Sequence, residues 1–233
     1  MEQVRVPIKE SLLYGWEEFK KRPWFFIGLI LAIYIVSGIG QYLLEMTKSD
    51  LLFRLVYLAT QIINLIMSIG LIHISFKVYR KETPEFSELF SHTDQIWDAI
   101  LLYILYSLIV LGGLILFIVP GIIFIFRYSQ SFYLLLDKKL SPTEALKESR
   151  RITEGAKMDI FLAAILFGVI ALLGLLALFV GIFVAIPVVM LAGTFIYFRL
   201  LETAAGDETP AIKEDKGKEV PSTKTQDKKE EKK

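Results

Sequence analysis

Long apolar runs alternate with short charged segments along this chain: residues 24–44, 51–76, 97–136 and 161–201 are apolar almost throughout. A membrane-spanning helix needs about 20 such residues, so the first two runs predict one span each, and the last two, about twice that length, predict a pair each. The expected spans are residues 24–44, 51–76, 97–118, 120–136, 159–180 and 183–201. Within the third run Pro120 and Gly121 interrupt the apolar sequence. Proline cannot continue a helix and glycine accepts positive φ, so the pair predicts the tip of a hairpin.

The charged segments have a pattern of their own. Ser141, Pro142 and Glu144 form a capping-box signature with proline at the first helical position. In the helix this predicts, Ala145, Leu146, Ser149, Ile152 and Ala156 share one face, while Lys147, Glu148, Arg150, Arg151 and Glu154 fall elsewhere, as in a helix lying in the membrane interface. Residues 1–23 repeat the design, with Ile8, Leu12, Trp16 and Phe19 at near-helical spacing and Lys9, Glu10, Glu17, Glu18 and Lys20 on the other side. A third segment opens at Pro84, and is the shortest with the poorest pattern. The fold class expected is therefore an all-α membrane protein of six transmembrane helices in three hairpins, each preceded by an amphipathic interfacial helix, over residues 1–204. The length and acidic content of the leading segment favour a retained helix over a cleaved signal peptide.

Charge sets the expected orientation. Lys and Arg number five in residues 1–23, two in 45–54, three in 77–95, none in 112–121, six in 137–158 and none in 179–183. By the positive-inside rule this alternation predicts a multi-pass protein of the cytoplasmic membrane with both termini cytoplasmic. From 205 to 233 the chain has eight Lys against eight Asp or Glu among 29 residues, which predicts a disordered cytoplasmic tail with too little net charge for a polybasic lipid anchor. The 54% hydrophobic content and mean hydropathy of +0.53 exceed what a soluble domain needs. A net charge of +1 argues against a nucleic-acid partner, and the lack of cysteine removes disulfides and thiolate chemistry.

Residues 120–161 resemble an uncharacterised prokaryotic family of six-span integral membrane proteins, related to the membrane domain that accompanies some glycerophosphoryl diester phosphodiesterases. The resemblance is carried by Pro120 and Gly121, Arg127, Asp137, and the series Ser141, Pro142, Glu144, Ala145, Leu146, Ser149, Ile152 and Gly155, with Gly15, Trp16 and Phe19 fitting the first repeat. It implies fold and location. Phosphodiesterase chemistry in that setting belongs to a separate soluble barrel, and no segment of this chain is polar and long enough to form one.

Candidate chemistry is sparse. Arg54, Gln61, Ser68 and Ser75 recur every seven residues, with Tyr57 and Asn64 beside them, forming one polar stripe expected to face the bundle interior. The stripe suits either interhelical hydrogen bonding or a binding cleft for a small solute or lipid headgroup. Arg127 is the one full charge well inside an expected span, about 10 Å from the Pro120 turn, with Gln130 and Ser131 extending its face. It fits either an anionic ligand or a structural role, bonded to Gln61 or Asn64 or reaching outward to Glu45 or Asp50. The candidate ligand-binding residues are thus Arg127, Gln130, Gln61 and Asn64. His73 and His92 lack ligands at metal spacing, and no nucleophile, acid-base or cofactor motif is present. The function expected is non-enzymatic, without cofactor, in membrane structure or assembly; the alternative is a small transporter or lipid-handling protein. An assembly role would bring a second copy or another membrane protein as partner besides the bilayer.

Overall fold

In the computed structural model, which describes residues 6–176 and 181–207, the apolar runs become helices of spanning length and the charged connectors become short helices. The elements are α1 (Ile8–Lys21), α2 (Pro23–Met46), α3 (Asp50–Tyr79), a 3-10 helix (Phe86–Leu89), α4 (Ile96–Leu116), α5 (Ile118–Arg127), α6 (Ser131–Lys138), α7 (Pro142–Ile152), α8 (Lys157–Leu176) and α9 (Ile182–Asp207). Among the described residues six segments are long and apolar enough to cross a membrane, namely α2, α3, α4, α5 continued by α6, α8 and α9. The class is all-α, with no strand among the described residues. Residues 205–207 still belong to α9, and the remainder of the expected tail lies outside the described residues.

The second hairpin turns earlier than Pro120 and Gly121 suggest. Phe117 (φ −161°, ψ 149°) is the extended residue between α4 and α5, and Pro120 sits in the first turn of α5, where its missing N–H costs nothing. Gly121 serves packing instead. A Cβ built there lies 2.5 Å from the Leu114 side chain and 2.8 Å from its backbone nitrogen, so the residue lets the two helices close on each other just beyond the turn.

Of the three connectors, α7 follows the sequence pattern most closely. Ser141 Oγ accepts from the Glu144 N–H at 3.4 Å, and a Glu144 carboxylate oxygen accepts from the Ser141 N–H at 3.0 Å. The Ser141 hydroxyl, which donates to the Glu144 carboxylate at 2.6 Å, and the Ser141 N–H hold that carboxyl below the usual carboxylate range. Ala145, Leu146, Ser149 and Ile152 are buried, with Leu146 and Ile152 packed in the main core beside Leu134, Leu135 and Leu136 of α6.

In α1 the buried line is Ser11, Gly15 and Phe19, and Trp16, expected on that face, is 44% exposed. The shift by about one position has a physical reason: α1 docks on α9 through its small residues. A Cβ at Gly15 lies 2.3 Å from the Val188 carbonyl oxygen, a backbone approach that only glycine allows. The middle connector forms only the four-residue 3-10 helix, held by the Glu85–Glu88 capping box and an ion pair from Lys77 to Glu88.

Polar contacts also join separate hairpins. The Thr194 hydroxyl of α9 donates to Ser75 Oγ of α3 at 2.7 Å in a fully buried setting. Nearby, Asp137 at the end of α6 pairs with Arg80 and accepts from the Tyr197 hydroxyl at 2.8 Å. Asp137, the first residue past the expected fourth span, therefore ties α6 to α9 and to the residue that follows α3.

Candidate functional site

The fourth span is broken. Residues 128–130 form a turn between α5 and α6, and the Arg127 carbonyl loses its expected helical donor because the Ser131 N–H bonds to Tyr128 O at 3.2 Å. Hydroxyls of α7 supply replacements. Ser149 Oγ donates to Arg127 O at 3.1 Å, and the Thr153 hydroxyl lies 2.9 Å from the same oxygen and 2.7 Å from Ser149 O. In return the Gln130 N–H donates to Ser149 Oγ at 3.2 Å. A backbone interruption at this position needs such internal partners, because hydrocarbon offers none. The turn's own hydroxyls help: Ser129 Oγ donates to Phe126 O at 2.9 Å and Ser131 Oγ to Tyr128 O at 2.7 Å.

That geometry fixes the Gln130 amide. Since the single Ser129 proton goes to Phe126 O, Ser129 Oγ accepts from Gln130 Nε2, at 3.1 Å. Gln130 Oε1 is left buried without a hydrogen-bond partner among the described residues, and Arg127 Nε shares that condition. Beside the turn lies a cavity of about 310 Å³, walled by Ile125 and Phe126 of α5, Tyr133 of α6, Ala163 and Phe167 of α8 and Ile196 of α9, with Ser129 and Gln130 on its polar side.

Of the four expected ligand-binding residues, Arg127 and Gln130 meet at this break; Gln61 and Asn64 do not. Asn64 Oδ1 accepts from Ser37 Oγ at 2.9 Å, tying α3 to α2, and Gln61 Nε2 lies 3.4 Å from the Tyr57 hydroxyl. The polar stripe of α3 also corrects the sequence reading. Ser75 is buried and Asn64 half-buried, but Arg54, Tyr57, Gln61 and Ser68 are exposed; the first half of α3 meets α2 on its other side, where Thr60 closes on Gly40. Arg127 lies midway along the fourth span, and the neighbouring Phe126 ring meets Phe161 of α8 edge-on at 5.2 Å.

The sequence did not bring Ser149 and Thr153 into the site, although a signal was present: both are buried hydroxyls on α7 and at its C-cap, among positions where aliphatic residues are the rule. His73 and His92 stack at 3.7 Å, and His73 Nε2 lies 3.4 Å from Gln95 Oε1. No group of three or more His, Cys, Asp or Glu able to hold a metal occurs among the described residues. Comparison with protein-family models, with curated proteins and with solved structures finds no match to this chain.

Proposed function

We propose that this chain is a non-enzymatic integral protein of the cytoplasmic membrane that handles a lipid, taking an acyl chain into the cavity beside the break in its fourth span. The cavity carries the reading. Its size falls within the roughly 300–1,000 Å³ of small-molecule pockets, and its walls are chiefly aliphatic and aromatic with one polar side at Ser129 and Gln130. A transporter of polar solutes draws no support from α3, whose polar residues mostly lie on its exposed side. The resemblance to six-span membrane proteins agrees with a membrane role and adds no chemistry.

Filling the cavity tests this reading. Ala164 lines its edge and is exposed, so Ala164→Trp occupies the space without crowding the core. Displacing two methylenes of a bound chain, at about 0.8 kcal/mol each, lowers affinity roughly tenfold. Cross-linking of a photoactivatable phospholipid to the purified protein, mapped by mass spectrometry, should label residues around the break in the wild type and fall by about that factor in the variant. No labelling there in the wild type would leave a purely structural or assembly role as the better reading.

We also infer that both termini face the cytoplasm, from the alternation of basic and uncharged connectors. The chain has no native cysteine, so single cysteines introduced at Phe117, in the exposed turn between α4 and α5, and at Thr143 report sidedness without background. Impermeant maleimide applied to intact cells should label the first and spare the second; the reverse pattern sinks the orientation.

A further inference from the structure

The corner between α1 and α2, together with the end of α3, forms a second, half-open cavity of about 220 Å³. Phe26 and Val78 give it an apolar floor, and its rim carries Lys21, Arg22 and Lys81 with Glu18 and Glu82. Three cations against two carboxylates leave one net positive charge. Lys21 is engaged by Glu18 at 2.5 Å, whereas Arg22 and Lys81 make no ion pair among the described residues.

The backbone at Lys81 supplies a second observation. α3 closes with the Lys81 N–H donating to Val78 O at 3.1 Å and the Glu82 N–H to Lys77 O at 2.9 Å, which puts Lys81 in the left-handed region at φ 62°. Glycine is the residue that this helix-ending motif favours. A lysine there accepts strain and sets an unpaired cation on the rim of the cavity. The location matters too: Arg22 immediately precedes the apolar run of α2, and Lys81 lies just past the end of α3 at Tyr79. In a bilayer that is the boundary between hydrocarbon and headgroups, where lipid phosphates lie.

We propose that this cavity holds the phosphodiester headgroup of a phospholipid, with Arg22 and Lys81 on its free oxygens and the glycerol region against Phe26 and Val78. The guanidinium fork of Arg22 suits two oxygens of one phosphate. One net positive charge matches a singly charged diester better than a dianionic monoester, because Glu18 and Glu82 repel the second charge. The site is separate from the cavity at the break and shares no lining residue with it.

The test titrates the full-length protein, in neutral detergent, with short-chain phosphatidylglycerol, inorganic phosphate or diacylglycerol, reading the shift in Tm. Phosphatidylglycerol should raise the Tm saturably. Arg22→Gln combined with Lys81→Gly should weaken its apparent affinity by about tenfold or more, the loss expected when charge-assisted hydrogen bonds are removed. Lys81→Gly alone should weaken binding while leaving the unliganded Tm at or above wild type, since glycine relieves the positive φ; this variant keeps the test open if the double variant folds poorly. Undiminished phosphatidylglycerol binding in both variants overturns the proposal. So does an equal shift with inorganic phosphate, which would mark a free-anion site, or with diacylglycerol, which would place binding on the chains alone.

Discussion

Gly15→Leu should undock α1 from α9 and be the most damaging single substitution in the first connector. The Cβ that any other residue adds lies 2.3 Å from the Val188 carbonyl oxygen and 3.3 Å from the Ala192 nitrogen, both backbone atoms of a helix, so neither can turn aside. Relief requires moving α1 outward. One turn on, Phe19 would then leave its packing with Phe26, Val78, Val188 and Leu191, where it is 5% exposed. Overpacking of this kind costs about 1–3 kcal/mol, and partial loss of the Phe19 contacts places Gly15→Leu at the upper end of that range. Glu17→Ala, on the exposed side of the same helix, should stay within about 0.5 kcal/mol. Thermal unfolding in detergent, followed by tryptophan fluorescence, separates the two; equal melting of Gly15→Leu and wild type would show that α1 does not depend on this contact.

That contact marks the limit of what periodicity reveals. The three-hairpin plan was legible because each span needs about 20 apolar residues and each connector carries charges that hydrocarbon rejects. The Ser141 capping box was legible because its hydrogen bonds are local and its residue types specific. Periodicity also found the face of α3 that holds Arg54, Tyr57, Asn64 and Gln61, but which way a face points depends on neighbours far away in sequence. In α1 the glycine of the Gly15–Trp16 pair, with no side chain to count as apolar, marked the docked line more accurately than the tryptophan did. At Pro120 and Gly121 the local turn preference was real but outweighed: the chain turned at Phe117 and used glycine for close approach to Leu114. The break beside Arg127 was illegible for a related reason: residues 128–130 contain neither proline nor glycine to announce it.

The break itself supplies the strongest coupling expected in the chain. Ser149→Ala removes a donor to Arg127 O and the acceptor for the Gln130 N–H, while Thr153→Val removes the other hydroxyl near Arg127 O. With Thr153 still present, Ser149→Ala should cost about 1–2 kcal/mol, chiefly for the stranded Gln130 N–H; Thr153→Val alone should cost under about 1 kcal/mol, because Ser149 continues to donate. The double variant is different in kind, since it leaves the Arg127 carbonyl and the Gln130 N–H buried together at a helix interruption with no α7 partner. Its cost should reach about 2–4 kcal/mol and exceed the sum of the single variants by about 1 kcal/mol, the sign of two groups serving one acceptor. Denaturant unfolding of the four proteins in mixed micelles measures that coupling. Strict additivity would mean that water reaches the Arg127 carbonyl once either hydroxyl is gone, and the break would then be a wet interruption open to solvent, a setting unsuited to an acyl chain.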